Sequence, residues 1–287
     1  MTETFPPRGA CDCHVHVIGP KATFPLARER TYTPMDAPRA ALEAMLARIG
    51  LDRVVLVQPS VYGTDNACMM DAIDALGNRA RGVVVLAPGT AGSELDDLHR
   101  RGVRGLRVNV ASSALRGLDA VRGDFQAAAA LCARNGWHLQ TFAETETLVA
   151  LASTIETLPV PLVVDHFGLV KPGEEDGAPA RMLHRLLARG KIWVKLSGTY
   201  RIADDPIDPR IVLLAQRFAD ANPEQVVWGS DWPHTPAHTH KPIADDRETP
   251  YQDIDTRGLL AFTRTCFDAA MLRGLLVDNP EKLYGFA

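Results

Sequence analysis

GACDCHVHVIGP, residues 9–20, sets Asp12, His14 and His16 at every second position of an otherwise apolar run. In an extended strand alternate side chains share a face. The pattern therefore predicts a strand over Cys11–Val17, with the three polar groups on one side and Cys13, Val15 and Val17 on the other. A strand ordinarily turns its polar face to water. A His-x-His pair on that face also offers two nitrogens to one metal ion or one substrate, and the rest of the chain decides between these readings.

Seven more short β-rich runs follow, at Val54–Gln58, Gly82–Ala87, Gly105–Val110, His138–Phe142, Leu162–His166, Ile192–Ser197 and Val226–Trp232. Most are rich in Val, Leu and Ile, as strands covered on both faces should be. Segments with helical spacing separate them. In Ala37–Ile49 the residues Leu42, Met45, Leu46 and Ile49 share a face, and Gly50 is a stop. Asp65–Leu76, Glu94–Arg101, Phe125–Asn135, Thr147–Thr157, Ala180–Ala188 and Ile211–Ala219 follow the same logic. A polar Pro/His-rich stretch (Thr235–Pro250), a helix near Leu259–Leu275 and a short helix from Pro280 complete the chain. Eight strand–helix alternations predict an α/β fold, a closed (β/α)8 barrel. A doubly wound sheet uses the same units but calls for a glycine-rich phosphate turn after its first strand, and none is seen here. The 287 residues suit one domain over residues 1–287, and no linker divides them.

Composition narrows the function. Net charge is −4, without a basic run or a basic–aromatic stripe, which argues against nucleic acid. No apolar run approaches the roughly 18–20 residues of a membrane span, and MTETFPPRGA lacks the apolar core of a signal peptide. The five cysteines, Cys11, Cys13, Cys68, Cys132 and Cys266, are odd in number and read as reduced thiols of a cytoplasmic protein. Cys11 and Cys13 read as buried packing residues rather than a metal pair. A homo-oligomer stays open.

In such barrels chemistry sits at the C-terminal ends of the strands. Those ends carry His14 and His16, Arg107 and Asn109, Asp165-His166, Lys195 and Ser197, and Ser230-Asp231-Trp232-Pro233-His234. His14, His16, His166 and Asp231 are the ligand types a divalent metal takes, and the first and eighth strands adjoin in a closed barrel. His138 and His184 read as core or surface histidines, His99 as solvated, and His238 and His240 as members of a polar surface loop. A guanidinium in the barrel mouth must find an anion. For Arg107 and Arg201 that anion is either a structural partner, Asp165 or Asp204, or a substrate carboxylate, which the forked donors of arginine suit.

The stretches CDCHVHVIGP, RTYTP, GTDNACMMDAI, GLRVN, VVDHFG, WGSDWPH and VDNPEKLYGF occur in this order from about residue 9 onward. Together they resemble the amidohydrolase-related (amidohydrolase 2) family, in the branch of 2-pyrone-4,6-dicarboxylate lactonase that includes sulfomuconolactone and sugar-lactone hydrolases. The resemblance implies a distorted (β/α)8 barrel and a hydrolase of aromatic compound catabolism that opens a small carboxylated lactone, a muconolactone or sugar lactone among the candidates, so that its partner is a small anionic lactone or hydroxy acid. It places the catalytic and metal-site residues on His14, His16, His166 and Asp231, with Asp231 the base towards water, and substrate contacts on Tyr32, Ser60, Arg107 and Arg201. The pyrone lactonase is metal-independent while other members carry zinc, so one divalent metal or none is implied. The family's pyrone lactonases carry a Lys-Arg pair shortly after the fourth strand, where this chain reads Val110-Ala111-Ser112-Ser113. They also have a tyrosine on the fifth, where Gln140-Thr141-Phe142 stands. Two contacts to a dicarboxylate are thus missing, which favours a different lactone. Without metal, the imidazoles are expected to donate to the carbonyl oxygen as an oxyanion hole, and Asp165 to orient one of them. A zinc-dependent amidohydrolase or decarboxylase of a small aromatic-derived acid, and a non-catalytic binder of small acids, are the competing readings.

Overall fold

The computed structural model describes residues 4–87, 89–110, 117–236, 243 and 246–286. Within them eight parallel strands pair in chain order: β1 (Cys11–Val15), β2 (Arg53–Val57), β3 (Ala80–Val84), β4 (Val103–Asn109), β5 (His138–Phe142), β6 (Leu162–Val164), β7 (Ile192–Ser197) and β8 (Val226–Gly229). A doubly wound sheet would reverse its order at a switch point; here the order never reverses. The chain leaving β8 returns to β1 instead. The Asp231 N–H donates to the His14 carbonyl at 2.9 Å, and the His16 N–H to the Trp232 carbonyl at 2.8 Å. Asp12 completes this seam with its side chain, where Oδ1 accepts from the Ser230 N–H at 2.8 Å and from the His14 N–H at 3.2 Å.

The helices cover the outside for the reason their spacing gives. Arg39–Ile49 buries Leu42, Met45, Leu46 and Ile49, and Gly50 ends it at φ 76°, its N–H on the Leu46 carbonyl. That left-handed conformation costs glycine little. Helix residues pack with the outward-facing strand residues, Val54, Leu56, Leu106, Leu139, Val164 and Val194 among them. The bore is a separate cluster that includes Cys11, Cys13, Val55, Val57, Trp193 and Tyr284. Tyr284, on the helix Asn279–Tyr284, offers its carbonyl to Arg81 Nε of β3 at 3.2 Å and plugs the end of the bore away from the strand C-termini.

Several expectations need correction. Cys11 and Cys13 are buried packing residues, but not on a face opposite the histidines. The pairing of β1 with β2 slips between Asp12 and Val15, so strict alternation fails there. Cys13 packs in the bore while His14, next in the chain, also reaches inward. Strands β6 and β8 stop at Val164 and Gly229, short of His166 and Trp232. The expected helix at Leu259–Leu275 is two, Thr256–Cys266 and Ala269–Arg273, because Asp268 caps a new start by accepting from the Met271 N–H. Thr147–Thr157 likewise divides at Leu151. His99 is half-buried rather than solvated, its Nδ1 accepting from Trp137 Nε1 at 3.0 Å. A two-residue parallel pairing of Thr33–Pro34 with Glu248–Thr249, which no periodicity announces, ties the segment after β1 to the one after β8. Residues 111–113, His238 and His240 lie outside the described residues.

Candidate active site

The backbone turns sharply where β6 and β8 end. His166 and Asp231 have φ of 53° and 64°. Asp and His enter this left-handed region more readily than most residues, yet such conformations still cost on the order of 1–3 kcal/mol and persist only where the surroundings impose them. Two glycines let the turns close on one another. A Cβ on Gly198, itself at φ 58°, would stand 2.8 Å from His166 Nδ1 and 3.1 Å from Asp231 Oδ2; one on Gly229 would stand 2.7 Å from His14 Cβ.

The result is one buried cluster. Nε2 of His14 and Nε2 of His16 each lie 3.7 Å from Asp231 Oδ1, and Nε2 of His166 lies 3.8 Å from Asp231 Oδ2. The two carboxylate oxygens have different surroundings. Oδ2 accepts from Arg201 Nε at 2.6 Å and from the Tyr200 hydroxyl at 2.7 Å, whereas Oδ1 has no hydrogen-bond partner among the described residues. Burial alone would raise the Asp231 carboxyl, but Arg201 and then the three imidazoles hold it well below the usual carboxylate range. Burial also lowers His14 well below its ordinary value and His166 to about 4.

Hydrogen bonds at the far sides of the rings decide what the near sides offer. His16 Nδ1 is 2.7 Å from the Val57 carbonyl, which only accepts, so the proton is on Nδ1 and Nε2 is a lone pair. His14 Nδ1 lies between an acceptor and a donor, 3.2 Å from Asp165 Oδ1 and 3.4 Å from Lys195 Nζ. The Nε2 atoms of both rings and a carboxylate oxygen thus converge on one spot. This set could hold one divalent ion; its ligand atoms lie within 4.8 Å of one another, and His14 Nε2 and Asp231 Oδ1 both lack a hydrogen-bond partner among the described residues. His166, with Ser197 Oγ 3.0 Å from its Nδ1, is the imidazole whose Nε2 can carry the proton.

Beneath the cluster lies a second charged group. Asp165 faces His14, Arg107 (3.3 Å), Gln140 Nε2 (3.1 Å) and Lys195 (3.6 Å). Burial would raise the Asp165 carboxyl, but His14, Lys195 and Arg107 hold it well below its ordinary range.

The expected substrate contacts fall on two sides of the mouth. Arg201 is engaged with Asp231 rather than with Asp204, and Tyr32 is buried nearby, hydrogen-bonded to Thr235. Arg107 sits opposite, one nitrogen 3.3 Å from the Gln58 carbonyl and Nε without a partner among the described residues. The Ser60 hydroxyl is likewise buried and unbonded, beside a cleft of about 430 Å³ shared with Arg28, Arg30 and Thr31. Tyr200, Gln140 and Lys195 were not expected among the site residues. Lys195 had a visible signal, its two-residue spacing from Ser197 on β7. Tyr200 had only its place beside Arg201, and the Asp231 contact depends on the 3-10 turn Thr199–Arg201.

A barrel with this cluster at its strand ends defines a class. The chain belongs to the amidohydrolase family, whose model, described as "Amidohydrolase", matches residues 11–286. It is 34% identical over 283 residues to a 4-sulfomuconolactone hydrolase from Rhizobium radiobacter, covering 97% of this chain and 91% of that one. It is also 34% identical over 292 residues to a 2-pyrone-4,6-dicarboxylate hydrolase from Comamonas testosteroni, covering 97% and 90%. Among solved structures, a "probable 2-pyrone-4,6-dicarboxylic acid hydrolase" from Acinetobacter baumannii with citric acid bound is similar at a TM-score of 0.81. That pair is 26% identical, over 97% of this chain and 100% of the other.

Proposed function

We propose that this chain is a single-domain lactonase, a hydrolase that opens a small carboxylated lactone with water activated by Asp231. One observation carries the reading: Asp231 Oδ1 is buried, unbonded and 3.7 Å from Nε2 of both His14 and His16. One water at ordinary hydrogen-bond distance, about 2.8 Å, can reach all three atoms. The lactone specificities of relatives at 34% identity support the substrate class. The absence of the family's tyrosine at Gln140-Thr141-Phe142 supports a lactone other than the pyrone dicarboxylate.

In this mechanism Asp231 Oδ1 takes a proton from water as its oxygen attacks the lactone carbonyl, a step worth on the order of 10²–10⁴-fold. His166 donates from Nε2 to the developing oxyanion. The ring C–O bond then breaks and the leaving oxygen takes up the proton. Arg107 holds the substrate carboxylate, while Tyr32, Ser60 and Arg201 line the same mouth. His14, His16 and Asp231, whose ligand atoms lie within 4.8 Å of one another, would hold a zinc ion, which would supply Lewis acidity that polarises the carbonyl and makes water acidic near pH 7. Five free, buried cysteines support a reducing, cytoplasmic setting.

The test is a panel of carboxylated, sulfonated and sugar lactones assayed by proton release, with and without chelator. Opening of a carboxylated lactone is expected. Turnover of an amide or a decarboxylation in place of any lactone, lost on chelation, would favour the competing zinc enzyme. Binding of small acids without conversion would leave a binding protein.

A further inference from the structure

Six charged side chains gather at the cluster and beneath it, each nine-tenths or more buried: the carboxylates Asp12, Asp165 and Asp231 and the cations Arg107, Lys195 and Arg201. Three negative charges thus face three positive ones. Buried charges are tolerated when they are matched, and this set is matched by the protein's own side chains. A divalent cation would add two positive charges to it.

The place of that cation matters as much as its charge. The atoms that would ligate it are Nε2 of His14, Nε2 of His16 and Oδ1 of Asp231. Imidazoles ligate a metal as neutral groups, so Asp231 is the one ligand that brings a charge. Arg201 already claims that charge. Its Nε donates to Asp231 Oδ2 at 2.6 Å, and Asp231 is its only carboxylate partner among the described residues. The guanidinium is also pinned from its other end, where Nη2 donates to Thr235 Oγ1 at 2.9 Å. An ion on one oxygen of Asp231 would therefore face a fixed positive charge held against the other, at a buried site where screening is weak.

We propose that Arg201 sets the metal affinity of the cluster: by neutralising Asp231 it keeps the hold of His14, His16 and Asp231 on a divalent cation weak, and without it the same three residues form a tight zinc site. None of this depends on which reaction the site catalyses.

The experiment measures zinc binding to the metal-stripped full chain by competition with a chromophoric chelator, together with thermal melts with and without zinc. Arg201→Gln removes the charge and keeps a hydrogen-bond donor. Arg201→Lys keeps the charge. Tyr200→Phe removes the other hydrogen bond to Oδ2 and leaves the charge in place. Arg201→Gln is expected to bind zinc about 10–100-fold more tightly than the native protein, the range over which outer partners move metal affinity, and His14→Asn in the same background to abolish the gain. Zinc should also raise the melting temperature of Arg201→Gln far more than that of the native protein. Arg201→Lys and Tyr200→Phe should stay near the native affinity. An Arg201→Gln protein that binds zinc no more tightly than the native one overturns the proposal. So does an equal gain in Arg201→Lys or Tyr200→Phe, which would assign the effect to a lost hydrogen bond rather than to the charge. Should Arg201→Gln not fold, the native protein decides: added zinc is expected to be lost on dialysis, and one zinc retained per chain overturns the proposal.

Discussion

Arg201 Nε donates to Asp231 Oδ2 at 2.6 Å, with the two side chains 7% and 0% exposed. The residue expected to hold a substrate anion is thus engaged by the residue expected to activate water. This divides the carboxylate, Oδ2 being held by Arg201 and Tyr200 and Oδ1 turned to the histidines. Both charges are out of water, so each depends on the other.

Removing one partner of a buried pair strands the other and costs about 3–5 kcal/mol. Asp231→Asn is expected to lose that stability and also about 10²–10⁴-fold in turnover. Adding Arg201→Met should restore much of the stability and none of the activity. Thermal melts and kcat for the two variants check this, and an active Asp231→Asn protein would refute the role given to Asp231.

Among the described residues Arg107 Nε has no partner, and its other nitrogens make long contacts, 3.3 Å each, to Asp165 and the Gln58 carbonyl. Its donors can therefore be recruited by an incoming carboxylate, and a hydrogen bond to a charged group contributes about 1.5–3 kcal/mol. Arg107→Met should reduce kcat/KM for a carboxylated lactone by roughly ten- to a hundredfold, mostly through KM, and change a neutral lactone much less. Equal losses on both substrates would remove the clamp.

Gly198 is where the His166 and Asp231 turns meet. Gly198→Ala must push one of them away, and a displacement of about 1 Å at a reacting centre can cost about 10²-fold. The variant is expected to fold and to lose that much kcat. Native kcat in a folded Gly198→Ala protein would show that the close approach is dispensable.

His138 is buried, and burial lowers its pKa to about 3. The unfolded chain takes up this proton near pH 6.5, the folded one only near 3. Its contribution to stability is therefore complete above about pH 6.5 and is lost as pH falls towards 3, by up to about 1.4 kcal/mol per pH unit. His138→Gln should flatten the dependence of denaturation midpoint on pH across pH 4–6. An unchanged slope would mean that His138 charges in the folded state as readily as in the unfolded one.

The strands were legible because each is a short apolar run between helical spacings, and His138–Phe142 and Ile192–Ser197 match their expected bounds. The clustering of His14, His16, His166 and Asp231 was legible too, since barrel closure places the first and eighth strands side by side. What escaped depends on local departures from regularity. The slip in β1 puts Cys13 and His14 both inward, where period two separates them. The left-handed residues His166 and Asp231 end strands that hydrophobicity alone would extend. The carboxylate partner of Arg201 and the partners of Lys195 lie 30 or more residues away along the chain, from Asp231 back to His14, and no spacing rule reaches that far.

The seam that Asp12 fastens has a consequence for biosynthesis. His14 and His16 leave the ribosome more than two hundred residues ahead of their carboxylate partner, and the Ser230 amide that Asp12 accepts from comes with that partner. A partly translated chain can lay down β1 to β7 in order and still have no reaction centre. The cluster of the proposed site is completed in one step, by the last strand and the turn after it.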